Sequence, residues 1–111
     1  MTEGIEAVYL ETHNWGKSAK FFQKLGYTLD FETDHHSCQL SNGDGPQLFV
    51  AEVPEGRDPG LQLVLAVADE GVPLDGLDVV TPFETTHWGA REMTIRDPDG
   101  RVWTLHSRAA K

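Results

Sequence analysis

At 111 residues, 39% of them hydrophobic and 24% charged, the chain is long enough for one folded domain to bury roughly two-thirds of its unfolded surface, and too apolar to stay disordered. Eighteen acidic against nine basic residues give a formal net charge of −9, a sign that repels phosphate backbones and anionic lipid and argues against nucleic-acid and membrane partners. The single cysteine, Cys38, excludes an internal disulfide and a multi-cysteine zinc site and suits a reducing cytoplasm.

No apolar run approaches the ~18 residues of a spanning helix, and Met1-Thr2-Glu3-Gly4 shows neither the basic nor the apolar stretch of a signal peptide. The first element, Ile5 to Thr12, reads as a strand with apolar residues on both faces. A helix follows. Asn14 is a good N-cap, Ser18, Phe21, Phe22 and Leu25 fall at i, i+3, i+4 and i+7, and Gly26 supplies a left-handed stop. Phe21 and Phe22 are expected to pack in the core.

Beyond the helix the period drops from 3.6 to 2. Tyr27, Leu29 and Phe31 alternate with Thr28, Asp30 and Glu32 as a half-buried strand, and His36, Cys38 and Leu40 continue the alternation in a second. Asn42-Gly43-Asp44-Gly45 is a turn, and Pro46 opens a third strand, Gln47 to Val53. Residues 54–60, rich in Pro and Gly, are the only linker-like stretch. After it Leu61, Leu63, Leu65 and Val67 form one apolar face of a strand, with Gln62, Val64 and Ala66 on the other. A short break, Asp69 to Gly76, precedes strands at Leu77 to Val80, His87 to Arg96 and Val102 to His106, the last two joined by the turn Asp97-Pro98-Asp99-Gly100. The order of elements in the first half therefore recurs in the second.

The run Trp88-Gly89-Ala90-Arg91-Glu92-Met93-Thr94-Ile95-Arg96-Asp97-Pro98-Asp99-Gly100-Arg101-Val102-Trp103-Thr104-Leu105 resembles the C-terminal signature of the vicinal oxygen chelate (glyoxalase/bleomycin resistance/dioxygenase) superfamily. Ser18 to Tyr27 is similar to that family's first helix. The resemblance implies an α+β fold of paired βαβββ modules, residues 4–53 and 61–107 about the linker 54–60, whose mostly antiparallel sheet curls into a U-shaped cup. It also implies a homodimer. One departure is large. Where the family places a second helix, Asp69 to Gly76 leaves room for about two turns and carries Gly71, Pro73 and Gly76, so the second module's helix is expected to be vestigial. A partner subunit would supply the missing cover.

Catalytic members of the superfamily hold a divalent metal with His and Glu side chains, and the resemblance places those positions at Ala7, Phe49, Gln62 and Thr104. Ala and Phe offer no donor; Gln and Thr are weak neutral ligands. No metal, no cofactor and no catalytic residue is expected. His13, His35, His36, His87 and His106 keep a different His-based site open, although their spacing matches no ligand motif.

A metal-free cup is a ligand pocket with apolar walls and a few orienting polar groups. The residues expected to face the ligand are Tyr9, His36, Cys38, Phe49, Gln62, Trp88, Glu92, Thr104 and His106. Trp88 at a rim would stack on a flat heteroaromatic or a cation, or else sit in a dimer seam. Two functions remain: a dimeric protein sequestering an aromatic or cationic, antibiotic-like molecule, or a lyase, isomerase or dioxygenase relative with an unusual metal site.

Overall fold

A computed structural model describes residues 2–109. Its elements are β1 (Thr2–Thr12), α1 (Trp15–Lys24), β2 (Thr28–Glu32), β3 (Ser37–Ser41), β4 (Gln47–Glu52), β5 (Leu61–Val67), β6 (Asp78–Thr85), β7 (Arg91–Arg96) and β8 (Val102–Ser107). The chain is an α+β fold in which the strand, helix, three-strand order of the first half returns in the second without the helix. It divides into two compact units, Ala7–Gln62 in one, and Leu63 onward with the chain's start up to Glu6 in the other.

Both units use the same pairing scheme. In the first, β2 pairs antiparallel with β3, β3 antiparallel with β4, and β4 parallel with β1 from Ala7↔Gln47 to Thr12↔Glu52. In the second, β6 pairs antiparallel with β7, β7 antiparallel with β8, and β8 parallel with β5 from Val64↔Thr104 to Val67↔Ser107.

Local chemistry fixes α1 at both ends. The Lys17 N–H donates to Asn14 Oδ1 at 3.0 Å and the Trp15 N–H to Glu52 Oε2 at 3.0 Å, which satisfies two of the donors a helix start leaves orphaned. At the other end Gly26 takes φ 101°, and the N–H groups of Gly26 and Tyr27 donate to the carbonyls of Gln23 and Phe22. The accompanying apolar contact is an edge-on approach of Phe22 and Tyr27, centroids 5.7 Å apart. The inward face differs from the expected one. Trp15, Ala19 and Phe22 pack onto the sheet, while Phe21 and Leu25 are 58% and 60% exposed.

Beneath α1 lies a core of Ala19, Cys38, Leu40, Leu48 and Val50, joined by Val8, Leu10 and Leu29. The second unit has its own core, Val67, Met93 and Leu105 with Leu65, Val79, Phe83 and Ile95 around them. No helix forms between Val67 and Asp78; of that segment Val72 packs onto this core. The expected core place of Leu61 is not taken, since it is 63% exposed.

Three strand expectations need correction. His36 precedes β3 and adopts φ 58°, a left-handed turn conformation in which histidine is several-fold enriched. Trp88 lies in the turn between β6 and β7, because β7 starts only at Arg91. In β2 a bulge between Leu29 and Phe31 breaks the alternation: Leu29 pairs with core residue Leu40, whereas Phe31 pairs with Gln39 on the opposite face.

Candidate functional site

The bulge in β2 builds the first candidate surface. Cross-strand partners share a face, and the register Phe31↔Gln39, Gln39↔Phe49, Tyr9↔Phe49 lays these four side chains in one row across β2, β3, β4 and β1. This face is the one α1 leaves uncovered, since Leu40, Leu48 and Val50 point to the core. Tyr9 and Phe49 stack with centroids 6.0 Å apart and planes 17° from parallel. Phe31 is 48% exposed and Tyr9 36%. Asp30 frames the row: its Oδ1 accepts from Ser41 Oγ at 2.8 Å and its Oδ2 from Gln39 Nε2 at 3.3 Å.

Glu11, two residues along β1 from Tyr9, ties the loop 54–60 to this strand. Its Oε2 accepts from the Arg57 guanidinium at 2.6 Å and its Oε1 from the Gly60 N–H at 3.0 Å. Burial pushes the Tyr9 hydroxyl above its ordinary pKa, and the Glu11 charge adds to this while Arg57 opposes it. Tyr9 therefore stays a neutral phenol, able to donate one hydrogen bond and accept another. The row offers stacking surface with one amide and one hydroxyl to orient what lies on it.

A second surface lies in the other unit. Glu92↔His106 and Thr94↔Thr104 are partners on β7 and β8, on the face turned away from Met93 and Leu105. His106 Nδ1 lies 2.6 Å from Glu6 Oε2, Glu6 Oε1 accepts from Arg108 Nε at 3.2 Å, and Arg108 also donates to Glu3 at 3.0 Å. The Glu6 carboxylate on Nδ1 fixes the orientation of the His106 ring. The Glu92 carboxyl is pushed above its usual range, chiefly by burial and further by Glu6, with His106 opposing. The set is rich in acceptors and suits a ligand that brings donors.

The structure thus gathers Tyr9 with Phe49, and Glu92 with Thr104 and His106. Gln62 is half-buried on β5. Two expected residues, Cys38 and His36, stand apart from both surfaces. Cys38 is fully buried in the core under α1, where its β3 position points it away from the open face, so it lines no ligand surface. His36 occupies an exposed turn and uses its carbonyl to accept from the Glu52 N–H at 3.0 Å. Trp88 is 62% exposed in its turn, with His87 edge-on at 4.6 Å. Phe31, Gln39 and Glu6 are the residues that sequence reasoning missed. Strand alternation sorts Phe31 with the core and Glu6 with Val8 and Leu10, so no local signal marks them.

The metal that the fold family implies does not fit these residues. Ala7 and Phe49 carry no donor atom, Thr104 and Gln62 are engaged with other groups, and among the described residues no three His, Cys, Asp or Glu side chains converge as ligands of one ion.

Several solved structures share the chain's architecture. A glyoxalase/bleomycin resistance protein/dioxygenase superfamily member from Vibrio splendidus 12B01 superposes with a TM-score of 0.69 at 18% identity, over 93% of this chain and 98% of that one. A halotolerant catechol dioxygenase gives 0.70 at 13% identity, and an Mn(II)-bound glyoxalase from Novosphingobium aromaticivorans 0.66 at 16%. Both are matched over 99% of this chain but only 41% and 40% of their own length. No protein-family model and no curated protein sequence matches the chain. At these identities the likeness is one of fold: the chain has the vicinal oxygen chelate fold.

Proposed function

We propose, from the vicinal oxygen chelate fold and the row formed by Phe31, Gln39, Phe49 and Tyr9, that the protein binds a small, flat organic molecule without the help of a metal ion. The observation that carries this reading is the stacked Tyr9–Phe49 pair left open on the sheet face opposite α1. An exposed stack of this kind gains by adding a third ring, and the Gln39 amide and Tyr9 hydroxyl supply direction. In the other unit, the group of Glu92 and His106, with Thr104 beside them, is proposed as a separate surface, one that favours a ligand that is cationic or rich in N–H donors. Gln62 and Trp88 are proposed as further ligand-facing residues. Antibiotic-like aromatic cations have this chemistry, and sequestration is the role that needs no reaction centre. A reducing cytoplasm suits the single buried thiol.

The protein is further proposed to be a homodimer, since the second unit's core lacks the helix that covers the first. The alternative, a metal-dependent lyase, isomerase or dioxygenase relative, has in its favour the carboxylate-held imidazole of His106. It requires a third ligand that the described residues do not provide.

Titration with proflavine, a flat aromatic cation, followed by its fluorescence and by NMR of the protein amides, tests the reading. Binding should shift amides of β1, β3 and β4, and Phe49→Ala should weaken it by about ten-fold or more, the scale of a lost stacking contact of ~1–3 kcal/mol. Trp88→Ala binding as tightly as the wild type would remove Trp88 from the site. Stoichiometric divalent metal in purified protein, lost on His106→Ala, would overturn the metal-free reading in favour of the enzyme.

A further inference from the structure

The second unit carries an apolar groove that neither candidate surface uses. Its volume is about 630 Å³, and Leu65, Leu77, Ile95, Pro98 and Trp103 line it. Leu65 and Ile95 belong to the second core, so the groove lies over the sheet face that in the first unit is closed by α1. Its edge is acidic. Asp78 and Asp97 line it, and Asp99 lies between the lining residues Pro98 and Gly100; Asp78 is paired with Arg96, and Asp97 and Asp99 share Arg101, so the three carboxylates outnumber their two bases by one. Asp97 stays ionised, because Arg101 and then the Trp103 indole N–H hold its carboxyl far below the usual range.

The first unit carries a surface of complementary character. On α1, Lys17, Lys20, Phe21, Lys24 and Leu25 are all exposed along one side. Among the described residues Arg57, Arg91, Arg96, Arg101 and Arg108 each sit in an ion pair, and none of the three helix lysines does. In a chain of net charge −9, α1 therefore presents uncompensated positive charge beside two large apolar side chains. A helix of this make-up matches an apolar groove with an acidic edge, lysine stems covering apolar surface while their ammonium groups reach the carboxylates.

We propose that the groove of one copy receives the exposed side of α1 from a second copy, with Phe21 and Leu25 against Leu65, Leu77 and Trp103, and Lys20 and Lys24 toward Asp78 and Asp97. This rests on the homodimer proposed above and names the surfaces that form it. The contact joins unlike patches. It gives the helix-less unit the helical cover that its counterpart has within the chain.

Sedimentation of the full-length chain and cysteine cross-linking test it. Phe21→Glu with Leu25→Glu changes only exposed positions, and Leu77→Glu changes a residue 38% exposed at the groove; circular dichroism melting checks that both variants stay folded. Each should raise the dimer dissociation constant by more than about ten-fold, as loss of a central apolar anchor does. Under mild oxidation a mixture of Leu25→Cys and Leu77→Cys chains should give mixed cross-linked dimers well in excess of those either variant forms alone. A wild-type dimer whose association is unchanged in the variants, with no mixed cross-link, overturns this interface while leaving the dimer itself standing. A wild-type chain that stays monomeric to about millimolar concentration overturns both.

Discussion

At Glu92 the fold holds a carboxyl where water reaches it poorly. Burial raises its pKa above the ordinary glutamate value of 4.5, Glu6 adds to the rise, and His106 offsets part of it. The linkage has a definite sign. A group whose pKa is higher folded than unfolded contributes stability that is fully present below the unfolded value and is lost as pH rises through the folded value. Glutamine keeps the shape and cannot ionise, so Glu92→Gln escapes that loss. The variant should melt higher than the wild type at pH 7. The gain should vanish by about pH 4, where both chains carry a neutral side chain. A difference in melting temperature that does not change with pH would show that Glu92 is not held out of water.

Among the elements, α1 depends most visibly on its caps. Asn14 Oδ1 takes the Lys17 N–H, and replacing that acceptor leaves an orphan donor at the helix start. Asn14→Ala should cost about 1 kcal/mol and lower the melting temperature accordingly; an unchanged melting curve would mean that water replaces the cap without loss. This helix shows how far the sequence could be read. Asn14 and Gly26 marked its ends because capping is local chemistry, and the turn at Asp97 was legible for the same reason: its carboxylate accepts from the Asp99 and Arg101 N–H groups at 2.9 Å. The helix's inward face was harder. Phe21 and Phe22 are adjacent, both apolar, and periodicity alone does not say which turns to the sheet. Bulges were harder still. One extra residue between Leu29 and Phe31 reverses every later side chain of the strand, and no residue type announces it. Of Phe31, Gln39, Phe49 and Tyr9, strand alternation consequently marks only the two on β4 and β1, and misses the members on β2 and β3. His36 and Trp88 were misplaced for a related reason: strand alternation was carried past the points where β3 and β7 begin.

Across the whole molecule, the two units divide at two points, between Gln62 and Leu63 at the start of β5 just after the linker, and between Glu6 and Ala7 inside β1; the second division lies there because the chain's first residues are bonded to His106 and Arg108. Glu6 holds His106, and Glu3 and Glu6 both hold Arg108, over a separation of 100 to 105 positions. No sequence pattern reports a pairing at that distance. Its energetic consequence is local: removing residues 1–6 takes away the carboxylates facing His106 and Arg108 while leaving Ala19, Cys38, Leu40 and Val50 packed as before. Stability is distributed by cooperative units and not evenly along a chain. In the truncated protein the amides of β7 and β8 should exchange with deuterium about ten-fold faster or more, while those of β3 and β4 change little. Equal acceleration of all four strands would show that the two units melt as one, and that the salt-bridged start of the chain stabilises the first core as much as the second.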